Sequence, residues 1–281
     1  MFRTDDGVSL AYEVQGEGIP LVLVNGLPDT MGGWSSAANV LAPYFRVVRY
    51  DLRNQGLVES GGDEDYRVDR HVLDLVQLLR HLGIGRFVGV GLSLGARILA
   101  DFAGAHGDRP LRLVLIGASN PRLAPSYRAI FNSWLRALQF SPPDSLLPFV
   151  EGFVTWAFPP AFFARDPDFF ARYAKLLAAM HTRRGLGANI HAVIRSYEPA
   201  YVAKHPAQPI STRTLFVQGE YDFLTPPGFI REMVDLFPRS SMSVIPGCGH
   251  NVRVGEPRRL EQEIIDFLVR DDELMEGGYE Y

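Results

Sequence analysis

A Gly-x-Ser-x-Gly segment at residues 91–95 constrains the fold of this chain more than any other feature. An apolar run at residues 87–90 comes directly before it, and a helical pattern at residues 96–105 comes directly after it. A serine between a strand and a helix occupies a tight, strained turn that needs small residues two positions before and two positions after it. The segment therefore predicts a strand, a sharp turn and a helix, with Ser93 presented at the turn as a nucleophile.

Short apolar runs recur along the chain, and helical patterns separate most of them. The runs lie at residues 8–14, 21–24, 47–50, 87–90, 113–116, 215–217 and 243–245. The last five are continuous rather than alternating, which is typical of central strands that helices cover on both faces. Residues 67–82 and 257–269 carry apolar side chains at spacings of three and four, so each predicts an amphipathic helix. The pattern predicts an α/β fold with a mostly parallel sheet, opened by a hairpin of residues 8–14 and 21–24.

Residues 121–212 interrupt this alternation, because they contain many aromatic residues and two proline pairs but no convincing strand. We expect them to form a helical cap inserted into a core of residues 1–120 and 213–270, with a flexible acidic tail at residues 271–281. A cap over the carboxyl ends of parallel strands covers the place where open α/β sheets bind ligands. Most cap aromatics are expected to pack against the core, and the rest to line an apolar substrate pocket. The pocket candidates are Asn25, Trp34, Phe131, Trp134, Phe153 and Trp156.

An acid and a histidine that follow Ser93 in the sequence can complete a proton-transfer set with it. A serine hydroxyl is a weak nucleophile, so an imidazole must take its proton and a carboxylate must orient that imidazole. Asp222 follows the run at residues 215–217, and His250 follows the run at residues 243–245. Glu220 is an alternative acid, with Asp222 favoured. We therefore predict Ser93 as the nucleophile, His250 as the base and Asp222 as the orienting acid.

Acyl transfer through a tetrahedral intermediate also needs backbone N–H donors aimed at the oxyanion. One usual donor is the residue after the nucleophile, and the other lies in the loop after an early strand. These positions are Leu94 and Leu27. Loss of one such donor typically costs about 3 to 4 kcal/mol in the transition state. We therefore expect the loop that carries Leu27 to be rigid, with Pro28 and the packing of Trp34 supplying that rigidity.

The composition of the 281-residue chain excludes several classes of protein. Hydrophobic residues make up 47% and charged residues 21%, which is ordinary for a globular chain with a large core and not for a disordered or fibrous one. The net charge of -4 without a basic run argues against a nucleic-acid partner. We expect no membrane span and no signal peptide. A single cysteine, Cys248, is typical of the reducing cytoplasm, where we expect the protein to act.

Taken together, these marks resemble the α/β-hydrolase superfamily over nearly the whole chain. The matching marks are residues 24–28, Asp51-Leu52-Arg53 with Gly56, the serine turn at Ser93, Asp222 and residues 247–250. Residues 45–51 are similar to β-ketoadipate enol-lactonases and related small esterases. The resemblance implies a mostly parallel sheet of the eight-stranded α/β-hydrolase type, flanked by helices. Two departures are Asn25, where members commonly have a histidine, and Asn54-Gln55, where they commonly have a Gly-His pair.

The resemblance and the residues together predict an enzyme that cleaves a carboxylic ester, lactone or thioester of a hydrophobic small molecule. Ser93 would form an acyl-enzyme, no metal or organic cofactor is expected, and the chain would act as a monomer or homodimer. Dehalogenases and epoxide hydrolases use an aspartate where Ser93 stands, so those activities are disfavoured. Two alternatives stay open. One is a natural-product tailoring lyase that eliminates a carboxylate such as acetate, with His250 abstracting a proton, and the other is a ligand-binding homologue without turnover.

Overall fold

The computed structural model describes residues 1–56, 66–119, 124–203, 209–233, 235–270 and 274. The strands in this part of the chain are β1 (Phe2–Arg3), β2 (Ser9–Leu10), β3 (Tyr12–Gln15), β4 (Pro20–Val24), β5 (Arg46–Tyr50), β6 (Phe87–Leu92), β7 (Pro110–Ile116), β8 (Arg213–Gly219) and β9 (Ser240–Ile245). The helices are α1 (Ser35–Leu41), α2 (Val68–His81), α3 (Leu94–His106), α4 (Ala124–Phe140), α5 (Leu147–Val154), α6 (Pro160–Arg165), α7 (Pro167–Ala179), α8 (Arg183–Ser196), α9 (Pro199–Val202), α10 (Pro227–Ile230), α11 (Val252–Gly255) and α12 (Pro257–Leu268).

The central sheet has the strand order β3-β5-β4-β6-β7-β8-β9. All neighbouring strands are parallel except β3, which is antiparallel to β5. The mostly parallel α/β architecture that the sequence predicts is therefore confirmed. Within the described ranges this sheet has seven strands rather than eight, because β1 and β2 pair only with each other in a separate two-stranded ribbon.

The predicted opening hairpin is wrong. β3 pairs with β5, so that Tyr12 lies opposite Tyr50, and β4 lies on the other side of β5. Every residue of β4 is buried, whereas the two central residues of β3 are exposed. Burial of apolar side chains is favourable, so a fully apolar strand is most stable in the interior of the sheet. β4 therefore takes a central position, and β3 lies at the end of the sheet.

Helices cover both faces of the sheet and bury the side chains of its central strands. Val22 and Val24 of β4 lie in one hydrophobic core with residues of α2 and α3, whereas Leu21 and Leu23 lie in a second core with residues of α1 and α12. Successive side chains of a strand point to opposite faces, so this division shows that neither face is left to solvent. The three amphipathic or apolar helical patterns of the sequence correspond to α2, α3 and α12.

Between β7 and β8, residues 124–203 form α4 to α9 and contain no strand. Their apolar side chains form a third hydrophobic core that includes Trp134, Phe153 and Leu177. The predicted helical character of this insertion agrees with the structure where it is described; residues 121–123 and 204–208, at its two ends, lie outside the described residues. Its treatment as a separate cap unit stays a prediction.

The predicted flexible tail falls largely outside the described residues, which include only Leu274 of residues 271–281. Leu274 is 1% exposed and packs in the second core with α1 and α12, so this one position is tied to the core. Across the described ranges, no helix is both long enough and apolar enough to span a membrane.

Candidate active site

Ser93 lies between β6 and α3 in a strained backbone conformation, with φ 54° and ψ -110°. Its N–H donates to the carbonyl of Ile116 at 2.8 Å, which ties the turn to the neighbouring strand. A Cβ on Gly91 would lie 2.5 Å from the carbonyl carbon of Gly95, and a Cβ on Gly95 would overlap the carbonyl of Val24. Both glycines are therefore required, for the steric reason that the sequence pattern indicates.

Asp222 and His250 meet at the carboxyl ends of β8 and β9. Nδ1 of His250 lies 2.8 Å from Oδ2 of Asp222, and the side chains of the two residues are 9% and 0% exposed. Oδ1 of Asp222 accepts hydrogen bonds from the N–H groups of Leu224 and Thr225 at 2.9 and 2.8 Å. Because each oxygen of this buried carboxylate has a donor, Asp222 is held in one orientation against the imidazole.

Thr225 is a site residue that sequence reasoning missed. Its hydroxyl donates to Oδ2 of Asp222 at 2.6 Å and lies 3.3 Å from Nδ1 of His250. An aspartate followed after two residues by threonine is a common local turn, in which the carboxylate accepts from the residues that follow. The signal was therefore present in the sequence as a turn, but it gave no indication that the same carboxylate faces an imidazole.

The pKa of Asp222 reflects two opposing effects. Burial raises the pKa of the carboxyl, but the neighbouring His250 and the hydrogen bonds from Thr225 outweigh it and hold the pKa below the ordinary value. Asp222 is therefore ionised near neutral pH. An ionised carboxylate at Nδ1 selects the tautomer with a proton on that nitrogen, which leaves Nε2 able to accept a proton.

Glu220, the alternative acid, occupies a different place. Its carboxylate accepts a hydrogen bond from the N–H of Gly247 at 2.9 Å, and the residue is exposed. Asp222 is the carboxylate that lies against the imidazole of His250. The geometry therefore favours Asp222 over Glu220 as the partner of the base.

Ser93 and His250 share the walls of two adjoining cavities, one larger than the other. Leu27 lines both cavities, and Leu94 lines the larger one. Leu94 is the first residue of α3, so its N–H has no acceptor within the helix. The two predicted oxyanion donors therefore lie in residues that border the same space as Ser93.

The aromatic candidates divide between this cavity and an outer groove. Phe131, Trp134 and Phe153 line the larger cavity, and the Trp134 and Phe153 rings are 4.3 Å apart between centroids. Trp156 is 42% exposed and lines an outer groove that Trp134 and Phe153 also line. Trp134 and Phe153 therefore belong to the walls of both the cavity at Ser93 and the outer groove, whereas Trp156 does not line the cavity.

Asn25 and Trp34 are not among the residues that line the two cavities at Ser93. The amide of Asn25 is buried and donates to the carbonyl of Tyr50 at 3.1 Å. Trp34 is 0% exposed in the second core, and the Arg253 guanidinium lies 5.2 Å above its ring. The prediction that Asn25 and Trp34 face the pocket is therefore wrong, because both side chains are buried in the core beside the sheet.

One of the departures from the family pattern, Gln55, contacts the loop that carries Leu27, as do Asp51 and Arg253. Nε2 of Gln55 donates to the carbonyl of Gly26 at 3.4 Å, and Asp51 accepts from the N–H of Met31 at 2.7 Å. Arg253 forms an ion pair with Asp29, next to Leu27-Pro28. Side chains from two separate segments, residues 51–55 and Arg253, therefore bind the loop that carries Leu27 and the residues that follow it.

Cys248 is not suited to act as a second nucleophile, and the described residues give no indication of a metal site. The thiol of Cys248 is buried, and burial together with the nearby Glu256 raises its pKa to about 12, so it stays protonated. Within the part of the chain that the structure describes, no group of three His, Cys, Asp or Glu side chains is arranged to hold a metal ion.

Comparisons with known proteins place the chain in a broad family. The sequence profile of the alpha/beta hydrolase fold matches residues 19–257. A putative carbamate hydrolase, RutD, from Caulobacter vibrioides is 25% identical over 271 residues, which cover 94% of this chain and 96% of the relative. A hydrolase from Pseudomonas aeruginosa PA01 has a similar structure, with a TM-score of 0.80, 27% identity and coverage of 95% and 97% of the two chains. The enol-lactonase of Burkholderia xenovorans LB400 shares the fold, with a TM-score of 0.77, 20% identity and coverage of 93% and 97%.

Proposed function

The chain belongs to the family with the alpha/beta hydrolase fold, and from this premise we propose that it is a serine hydrolase acting on a carboxylic ester, lactone or thioester of a small hydrophobic molecule. The observation that carries the proposal is the 2.8 Å contact between His250 and Asp222 at the wall of a cavity that Ser93 also lines. A nucleophile, a base and an orienting acid in this arrangement are what acyl transfer to serine requires.

The reaction begins when Oγ of Ser93 attacks the acyl carbon and Nε2 of His250 takes the hydroxyl proton. The carbonyl oxygen becomes an oxyanion, which the N–H groups of Leu27 and Leu94 stabilise. As the bond to the leaving group breaks, His250 returns its proton to the departing alcohol or thiol, and an acyl-enzyme remains on Ser93. Water then attacks this ester with His250 again as the base, which releases the acid and restores Ser93. Every group in these steps belongs to the chain, so the proposal requires no metal or organic cofactor.

The walls of the cavity support a substrate with apolar parts. Phe131, Trp134 and Phe153 contribute aromatic faces, and Ile130 and Val193 contribute aliphatic ones. Ligand pockets that are mainly apolar gain affinity from the burial of carbon surface, while a few polar groups orient the reacting bond. The enol-lactonase and the carbamate hydrolase named above are hydrolases, in agreement with the class of reaction proposed here.

Labelling with a fluorophosphonate tests the proposal directly. We expect the wild-type protein to gain the mass of one phosphonyl group and the peptide with Ser93 to carry it. Ser93→Ala should take up no label. Ser119→Ala, which changes another serine of the same cavity wall, should still be labelled at Ser93. Labelling that is equal in the wild type and in Ser93→Ala would contradict the proposal.

Product mass then separates hydrolysis from elimination. Hydrolysis of an acylated substrate leaves an alcohol that is heavier by one water than the alkene from elimination. We expect the alcohol, together with incorporation of one oxygen from labelled water into the released acid. Formation of an alkene and an unlabelled carboxylate would instead indicate the lyase reaction, in which His250 abstracts a carbon-bound proton.

A further inference from the structure

The wall of the catalytic cavity contains a buried arginine. Arg97 lies one turn after the nucleophile on α3, where its N–H donates to the carbonyl of Ser93 at 3.1 Å. The residue is 6% exposed and lines the same cavity as Ser93 and His250. Residues four apart in a helix are separated by about 6 Å along the axis. A charged group is therefore present close to the reacting serine, in a cavity that is otherwise largely apolar.

Only one of the three nitrogens of the Arg97 guanidinium donates a hydrogen bond to the protein. Nε donates to both oxygens of Asp101, at 2.9 and 3.0 Å. Nη1 and Nη2 are buried and form no hydrogen bond of standard geometry among the described residues, although the side chain of Arg97 interacts with the hydroxyl of Tyr197. Burial by itself lowers the pKa of Arg97, but the adjacent carboxylate of Asp101 outweighs it and raises the pKa, so the group stays charged. Buried donors without acceptors are unfavourable, and a group that brings oxygen acceptors to them gains that interaction.

Two aromatic rings pack against this guanidinium. Its central carbon lies 5.5 Å from the ring centroid of Tyr197 and 5.7 Å from that of Tyr201. The hydroxyl of Tyr201 also donates to Asp101 at 3.1 Å. Arg97 is therefore pre-organised, and a ligand that binds it does not have to immobilise a long side chain.

A second buried arginine, away from the cavity, has a guanidinium that is fully bound within the protein. Arg53 is 1% exposed and does not line either cavity at Ser93. Its Nε and Nη2 donate to Asp74 at 2.6 and 2.7 Å, and its Nη1 donates to Asp6 at 2.9 Å. All three nitrogens of Arg53 are thus bound within the protein, whereas two of the three nitrogens of Arg97 are not.

We propose that Arg97 binds a carboxylate of the substrate, so that the preferred substrates are esters or lactones with a free carboxylate a few bonds from the scissile carbonyl. This inference rests on the proposed function, since it concerns the substrate of that same site. Two parallel N–H groups of a guanidinium match the two oxygens of a carboxylate in distance and in plane. The Asp101 ion pair keeps Arg97 buried and charged in the free protein, and the apolar walls accommodate the carbon chain between the two ends of the substrate.

A matched series of esters tests the preference. The probes are 4-nitrophenyl hemiesters of straight dicarboxylic acids with four to six carbons, each paired with the ester in which a carboxamide replaces the free carboxylate. The two members of a pair differ in charge and hardly in shape. We expect kcat/KM for the carboxylate to exceed that for the carboxamide by tenfold or more in at least one chain length.

Variants assign the preference to Arg97. Arg97→Met combined with Asp101→Asn removes the ion pair without leaving a buried charge, and we expect the carboxylate preference to fall to about one. Arg97→Lys keeps the charge and should retain part of the preference. Arg53→Met with Asp74→Asn is the matched control, because it removes a buried ion pair elsewhere; it should lower the melting temperature and keep the preference. A preference that survives the Arg97 double variant would overturn the proposal.

Binding to the inactive protein separates this inference from the proposed reaction. Calorimetry with Ser93→Ala should show tighter binding of monomethyl glutarate than of its carboxamide analogue, and the difference should disappear when Arg97→Met and Asp101→Asn are added. Discrimination in binding without Ser93-dependent turnover would support the carboxylate site and contradict the hydrolase. Ser93-dependent turnover without discrimination in either measurement would overturn the carboxylate site and leave the hydrolase standing.

Discussion

Different kinds of interaction hold the side chains of two regions in place. One region is the set of proposed catalytic groups at the edge formed by the carboxyl ends of the strands, and the other is the set of helices between β7 and β8. At the edge, Asp222 has a donor on each oxygen, and the conformation of Ser93 depends on two glycines that cannot carry a side chain. In α4 and α5, Trp134 and Phe153 are held by ring contacts within an apolar core. Directional hydrogen bonds and close backbone contacts permit one geometry, whereas apolar packing permits several of similar energy.

This difference suits the strand ends to the proposed reaction and the helical insertion to the selection of a substrate. Acyl transfer needs atoms placed to within a fraction of an ångström, and the strand ends supply that precision. Selection of a substrate needs a wall of suitable shape, and a helical insertion can change its shape without moving the strand ends. Substitutions at the edge should therefore change kcat, and substitutions in the helices should change stability and substrate preference.

The largest effect is expected at the nucleophile. Ser93→Ala removes the atom that forms the acyl-enzyme, so kcat for an activated ester should fall by about 10⁴-fold or more. His250→Ala should cause a loss of similar size, and the double variant should lose little more, because the two residues act as a unit. Steady-state kinetics measure these losses, and thermal unfolding checks that both variants are folded. Losses that multiply in the double variant would show that Ser93 and His250 act separately.

The next effect concerns the helical wall. Trp134→Ala removes a ring that is 6% exposed and packs on Phe153, so the free energy of unfolding should fall by about 3 to 5 kcal/mol. The same change should lower kcat/KM for long acyl chains more than for acetyl esters. Phe140→Ala is the matched control, because this ring lies on the same helix and is 86% exposed.

Urea unfolding and an acyl-chain series measure the two effects. Phe140→Ala should leave both nearly unchanged. A Trp134→Ala protein with wild-type stability and wild-type chain-length preference would contradict the role assigned to this wall.

A smaller effect is expected at Thr225. Thr225→Val keeps the shape of the side chain but removes the hydroxyl that donates to Asp222 at 2.6 Å. The carboxylate loses one of the hydrogen bonds that orient it, so kcat should fall by about tenfold. Thr225→Ser restores the hydroxyl and should recover most of the loss. Equal activity in the valine and serine variants would show that the hydroxyl does not act through Asp222.

The smallest effect is a dependence of stability on pH. The pKa of Asp222 in the folded protein lies below its ordinary value of 3.8, so its ionised form stabilises the fold. This contribution is fully present above pH 3.8 and is lost as the pH falls through the lowered pKa. The difference in unfolding free energy between the wild type and Asp222→Asn should therefore be constant near neutral pH and shrink below pH 3.8. A difference that is the same at pH 7 and at pH 2.5 would contradict the lowered pKa.

Several features followed from the sequence because their causes are local. The turn at Ser93 depends on glycines within two residues of it, and the apolar runs that became β6 and β8 are continuous enough to predict buried strands. The run that became β9 also forms a strand, but this strand lies at the end of the sheet and is only partly buried, so its predicted central position is wrong. Once those strands are parallel, Asp222 and His250 must come to the same edge of the sheet. The fold class, the tight turn at Ser93 and the placement of Asp222 beside His250 could therefore be predicted from the chain alone, whereas the catalytic roles of these residues stay a prediction.

Other features depended on which segments become neighbours. The pairing of β3 with β5 instead of β4 follows from the burial of the whole sheet and not from the turn between β3 and β4. The burial of Trp34 beneath Arg253, a residue more than 200 positions later, has no local signal. Arg97 on its own looks like an ordinary helical arginine.

The sequence by itself thus determined where Ser93, Asp222 and His250, the proposed nucleophile, acid and base, lie, because short-range sterics and strand order fix those positions. Only the tertiary structure decided which side chains face the cavity and which donors stay without a partner, because both depend on contacts between segments that are distant in the chain. For Arg97 these contacts are the pairing with Asp101 and the packing against two tyrosines from a distant helical segment. Because of these contacts, Arg97, which has no signal in the sequence, is the residue proposed to select substrates with a carboxylate.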